Sequence, residues 1–188
     1  MMEIRNISKS FGEKTVLRNV SITIPHGEIT VIYGPSGRGK TTLLRILMGL
    51  EKPDSGEIIG ADNKISAVFQ EDRLPLEFTA ERCVKLAVPK SVSGKTVAEH
   101  LAELGIDEYI RKPANQLSGG MKRRVAICRA VLADADTIYM DEPFTGLDRD
   151  TKVRVTEYIK KYCSGKTLVV VSHAPEDAEL LNAKEIRI

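Results

Sequence analysis

The stretch Gly34-Pro35-Ser36-Gly37-Arg38-Gly39-Lys40-Thr41, followed by Thr42, fits the pattern GxxxxGK[ST]. Such a loop suits phosphate chemistry. Its glycines let the backbone pass close to an anion and turn several N–H groups inward. A helix opening at its end adds the positive end of a dipole. Lys40 is then placed for the β- and γ-phosphates of a nucleotide, and the Thr41 hydroxyl for Mg²⁺. A turn that only caps a helix would not need all these positions together with a strand before and a helix after.

A second stretch, DTIYMDEP, is an apolar run ending in two adjacent carboxylates. Side chains alternate along a strand, so Asp141 and Glu142 should point different ways. That division suits two jobs: Asp141 to hold Mg²⁺ or its waters, Glu142 to polarise a water attacking the γ-phosphate. His173 ends another apolar run, TLVVVSH, and Gln70 ends KISAVFQ. Ligand crevices lie at the carboxyl ends of parallel strands, which would bring both to one rim with the loop. His173 can bond the γ-phosphate or the water. Gln70 can offer its amide oxygen to Mg²⁺ and its nitrogen to water or phosphate. His26 and His100 lack such context and read as surface residues.

The third stretch, QLSGGMKRRVAICRAVLA, looks like another helix start built for an anion. Ser118, Gly119 and Gly120 offer a hydroxyl and close backbone N–H groups there. Two cradles in one chain raise the question of whether they serve one nucleotide. The basic run Lys122, Arg123, Arg124 reads as a solvated helix face.

The elements that position these residues follow from periodicity. EIRNISKS and VLRNVSITI alternate as half-buried strands do. GEITVIYG is a buried strand feeding the loop, and KTTLLRILMGL a helix on which Leu43, Leu44, Leu47, Met48 and Leu50 share a face. GEIIG and KISAVFQ are short strands. Residues 70–133 read as mostly helical, with TVAEHLAELG closing on Gly105. Strand character returns in DTIYMDEP and TLVVVSH, with the helical pattern RDTKVRVTEYIKKYC between them. APEDAELLN is a short helix and KEIRI an edge strand. This predicts an α/β fold: a mostly parallel sheet, an N-terminal antiparallel β-layer and a helical subdomain inserted at about 70–133 of a single domain, 1–188.

Bulk properties narrow the class. The 188 residues are 42% hydrophobic and 29% charged, as in ordinary globular chains. A net charge of +2 argues against nucleic-acid binding. No apolar run is long enough to span a bilayer, and MMEIRNISKSFGEK lacks a signal peptide's apolar stretch, so a cytoplasmic location is expected. Cys83, Cys128 and Cys163, widely spaced and without CxxC, read as reduced structural thiols.

Together these motifs resemble, in order over nearly the whole chain, the ATP-binding subunits of ABC transporters. GPSGRGKT resembles the Walker A motif of that P-loop NTPase family, Gln70 its Q-loop, LSGGMKRR its signature and TIYMDEP its Walker B motif. TGLD, ending at Asp148, resembles the D-loop, and His173 the switch histidine. Phe11 resembles the aromatic that stacks on adenine, with a core phenylalanine as the alternative.

The resemblance implies ATP and Mg²⁺, and a second copy of the chain in an ATP-dependent homodimer. There the signature helix of one subunit faces the ATP held by the other's Walker A loop. It further implies an integral-membrane permease partner, a substrate-binding protein among the associated components, and a peripheral place on the cytoplasmic face of the membrane. The stretch VFQEDRLPLEFTAERCVKLAVP is similar to the permease-gripping region of nitrate, sulfonate and taurine importers, although ERC stands where they carry Glu-Asn. Leu74, Leu76 and Phe78 either line a docking groove or fill the helical core. The competing class is a soluble ABC-type ATPase acting on a protein or nucleic-acid assembly. A P-loop kinase would leave LSGG and His173 unexplained.

Overall fold

A computed structural model describes residues 1–188. β-Branched runs build its central sheet. β3 (Ile29–Tyr33), β5 (Ile65–Val68), β6 (Thr137–Asp141), β7 (Thr167–Ser172) and β8 (Lys184–Arg187) pair in the order β5-β6-β7-β3-β8. Every pairing is parallel. β6 and β7 are buried along their whole length, which explains their unbroken apolar runs. A second sheet, order β2-β1-β4, is antiparallel and joins β1 (Met2–Phe11), β2 (Lys14–Ile24) and β4 (Ser55–Ile59). Its alternating burial is that of a layer covered on one side.

Helix α1 (Lys40–Leu47) lies between the sheets, with Leu43, Leu44, Ile46 and Leu47 in a core shared by β1, β2, β3, β6 and β7. It is shorter than the sequence pattern suggested. Met48 caps it, Gly49 turns away at φ +69°, and Leu50 stands 52% exposed instead of sharing the buried face.

Between β5 and β6 come α2 (Ala80–Lys85), α3 (Gly94–Glu103) and α4 (Gly119–Leu132), with no strand among them. Side-chain caps start each helix: Thr79, Ser93 and Ser118 accept from the N–H three residues on. These helices and the sheet face formed by Val31, Val68, Ile138, Met140, Leu168 and Val170 share one apolar cluster. Helix α5 (Arg149–Tyr162) and α6 (Glu176–Leu181) complete it, joined through Val155, Ile159, Ala178 and Leu181. The three cysteines are free and buried, Cys128 and Cys163 pushed up to about 12 by desolvation.

Two sequence expectations change here, and one open alternative is resolved. His100 is only partly at the surface: its ring packs against Tyr158 and Tyr162, with Nδ1 2.9 Å from the Tyr158 hydroxyl. Leu74 is buried and Phe78 packs on the helical core, so of the three apolar residues near Gln70 only Leu76 is exposed. The run Lys122-Arg123-Arg124 is not a uniformly solvated face. Arg123 is buried, and Arg124 donates to the carbonyls of Leu104 and Gly105 at the end of α3.

Candidate active site

The carboxyl ends of β3, β5, β6 and β7 lead directly into Gly34, Gln70, Glu142 and His173. The parallel pairing therefore brings residues more than a hundred positions apart onto one rim.

The loop after β3 is tied down at both ends. A Cβ on Gly34 would lie 2.3 Å from the Ile188 carbonyl oxygen, and one on Gly39, at φ +85°, 2.7 Å from Leu17 Cδ2. Only glycine fits either place without rearrangement. Lys40 opens α1, is buried, and turns its ammonium back along the loop to donate to the carbonyls of Gly34 (2.7 Å) and Pro35 (3.0 Å). Ser36, Gly37, Gly39, Lys40, Thr41 and Thr42 line a polar cavity of about 330 Å³, together with Gln70 and Glu142. Lys14 and Val16 of β2 also face it, and nothing in their local sequence announces that. Phe11, Gly34, Pro35 and Arg38 lie outside that lining. Phe11 is half exposed at the end of β1, which excludes the core reading of its ring.

Asp141 and Glu142 do diverge. Asp141 ends β6, is 4% exposed, and accepts from the Thr41 hydroxyl at 3.2 Å. Desolvation raises its pKa, the Thr41 bond lowers it, and the neighbouring Glu142 charge raises it again. Glu142 leaves the strand in the left-handed region, φ +51°, which costs an L-residue on the order of 1 kcal/mol. Its N–H is held by the Val171 carbonyl at 2.9 Å, and its carboxylate meets His173 Nδ1 at 2.7 Å.

The segment carrying His173 is itself anchored. Ser172 Oγ donates to buried Asp177 at 2.6 Å and accepts the Ala174 N–H at 3.0 Å, and Asp177 also pairs with Lys152 of α5.

The LSGG stretch lines a different cleft. Ser118 Oγ is occupied in capping α4, accepting from the Met121 N–H at 3.2 Å. The first-turn N–H groups of Gly119 and Gly120 have no intrahelical acceptor. Nothing lies within 4 Å of where a Gly119 Cβ would stand, so no contact inside the chain requires that glycine. Asp148 caps α5 through the Thr151 N–H at 2.9 Å, which lowers its pKa. Ser118, Gly119, Gly120, Gly146 and Asp148 share this cleft of about 510 Å³. It has no lining residue in common with the cavity beneath the Lys40 loop.

A family described as "ABC transporter" matches residues 17–145. The chain belongs to that family. The ABC cassette is 33% identical over 96% of its length, and 79% of the relative's, to an aliphatic sulfonates import ATP-binding protein of Pseudomonas syringae. It is 36% identical to an arginine transport ATP-binding protein of Bacillus subtilis, over 99% of this chain and 84% of the relative. Among solved structures, it superposes on MJ0796, a dimeric ATP-binding cassette bound to ADP and Pi. The TM-score is 0.87 at 32% identity, covering 100% of this chain and 94% of the other. The cassette is thus an ABC-type ATPase with a parallel sheet and an added antiparallel layer. None of its helices is long and apolar enough to cross a membrane.

Proposed function

We propose that this cassette hydrolyses Mg-ATP as a head-to-tail homodimer and so drives a separate membrane-embedded permease. One observation carries the sandwich: the Lys40 loop and the Ser118 helix line clefts without a residue in common. A nucleotide shared by both elements is then drawn from two chains in this reading, and a two-fold axis supplies each pairing twice. The dimeric MJ0796 cassette supports that reading.

In each composite site, Gly34 to Thr42 wraps the phosphates and Lys40 gives up its carbonyl partners for phosphate oxygens. Phe11, with Lys14 and Val16, borders the base and ribose. Ser118, Gly119, Gly120 and Asp148 of the second copy close the other side. The donor set fits Mg²⁺: Thr41 Oγ1 and Asp141 Oδ1 are hard oxygen ligands already 3.2 Å apart, and the Gln70 amide borders the same cavity. The ion, when bound, neutralises charge on the phosphates. Glu142 takes the proton of the attacking water. His173 orients that carboxylate through their 2.7 Å bond and bonds the transferred phosphoryl group.

The chain acts as one domain, with 70–133 as its inserted helical subdomain. The sulfonate and arginine relatives favour transport, and the sulfonate relative favours import. Their cargoes differ, so none is transferred here. A permease would hold the cassette at the cytoplasmic membrane face, with a substrate-binding protein delivering cargo. Exposed Leu76, next to the Gln70 segment, is the apolar contact offered to it.

Replacing Glu142 with Gln tests the reading. Turnover, measured as phosphate release, should fall by roughly 10²- to 10⁴-fold, the worth of a general base. Nucleotide binding should persist, and Mg-ATP should now shift the chain to a dimer on size exclusion. Undiminished turnover would remove Glu142 from the chemistry.

A further inference from the structure

We propose that Arg123 is a positioning residue that ties the two clefts of one chain together. This rests on the composite-site reading above. The segment Phe69–Arg73 follows β5 without regular secondary structure, so its carbonyls need partners from elsewhere. Helix α4 supplies them. Arg123 donates through one guanidinium nitrogen to the Phe69 carbonyl and through the other to that of Gln70, each at 2.5 Å. Its Nε meets the Asp72 carboxylate at 3.2 Å. Arg129 donates to the carbonyls of Arg73 and Asp72 at 3.0 and 3.3 Å.

Of these groups Arg123 alone spans the two clefts. Its side chain is buried, and it lines the signature cleft together with Asp72. The residue whose carbonyl it grips, Gln70, lines the nucleotide cavity. Arg123 sits on the same helix as Gly119 and Gly120, about one turn further along. Whatever seats on that helix start therefore acts on the backbone of Gln70 through one guanidinium that bonds two successive carbonyls and pairs with Asp72. In the homodimer the two clefts belong to different nucleotides. Arg123 then sets the amide of one site by the closure of the other. Lysine keeps the charge but not the fork that holds the two carbonyls.

The test compares Arg123→Lys, Arg123→Met, Gln70→Ala and the Arg123→Met/Gln70→Ala double variant. Turnover is counted per site titrated with a fluorescent ATP analogue, so that loss of folded protein does not register. Both Arg123 variants should lose roughly tenfold in kcat, the order expected for losing charge-assisted hydrogen bonds, with KM for ATP little changed. The double variant should turn over like Gln70→Ala alone, because Arg123 works through that residue. Lowered melting temperature with normal kcat in both Arg123 variants would make the contact merely structural and overturn the proposal. So would losses that multiply in the double variant. If Gln70→Ala itself hydrolyses like the wild type, the composite-site reading of Gln70 fails first, and the proposal with it. If Arg123→Met does not fold, Arg123→Lys alone decides between these outcomes.

Discussion

At the residue scale, the site concentrates its cost in Asp141 and Glu142. Asp141 is a nearly dry carboxylate, and burial raises its pKa. A carboxyl whose folded pKa lies above its unfolded value binds protons more tightly when folded. Its ionisation therefore subtracts stability once pH exceeds the unfolded value, and the loss is complete above the folded one. Asp141→Asn removes that charge while keeping an acceptor for the Thr41 hydroxyl. The ligand-free protein should melt higher at neutral pH, by about 2–4 °C per kcal/mol gained in a chain of this size. Hydrolysis should fall at the same time, and differential scanning fluorimetry beside a phosphate assay reads both. A lower melting point would mean that Asp141 is better satisfied than its burial implies. Lys40→Ala differs in kind. It deletes a charge-assisted contact with phosphate, so ATP affinity should drop roughly ten- to a hundredfold. Titration with a fluorescent ATP analogue would show it, and unchanged affinity would detach Lys40 from the phosphates.

At the element scale, the two helix starts that looked alike in sequence make different demands. Gly39 and Gly34 are fixed by the chain's own backbone, whereas a methyl group at Gly119 would meet nothing inside the chain. Gly119→Ala should leave the melting temperature unchanged or raise it, since the helix gains about 0.4–1 kcal/mol from a less flexible unfolded state. Hydrolysis should nevertheless fall tenfold or more if γ-phosphate approaches that backbone, a step worth about 1.4 kcal/mol. Full activity with unchanged stability would leave the signature glycine without a role. Local chemistry made these starts legible. The loop is written in contiguous glycines with Lys40 and Thr41, and the caps in Ser118 and Asp148. The contacts of Arg123 are not legible in sequence, because Lys122, Arg123 and Arg124 form one uninterrupted basic run. A helix turns about 100° per residue. One guanidinium therefore goes into the Gln70 segment and the next onto the end of α3. The ion pair of Asp177 with Lys152 joins α6 to α5, which β7 separates in sequence, and no local pattern foretells it.

At the scale of the whole molecule, the rim follows from strand order. The succession β5-β6-β7-β3-β8 sets Gln70, Glu142, His173 and the Lys40 loop side by side, although the chain visits them far apart. Alternation of strands and helices foretold a parallel sheet, but not which strands are neighbours, because those pairings are long-range. The signature cleft shares no lining residue with the cavity at that loop. In the proposed dimer one nucleotide joins the Lys40 loop of one chain to the Ser118 helix of another. The most direct measurement of that junction is a short bis-maleimide cross-link between chains carrying Ser36→Cys and chains, differently tagged, carrying Ser118→Cys. Both serines are exposed, and the three native cysteines are buried thiols that should not react in the folded protein. A covalent heterodimer should appear on a denaturing gel only when both variants are mixed, and only with Mg²⁺ and a non-hydrolysable ATP analogue. Thiols that each label with a single maleimide yet never couple across chains under those conditions, or that couple equally without nucleotide, would contradict it.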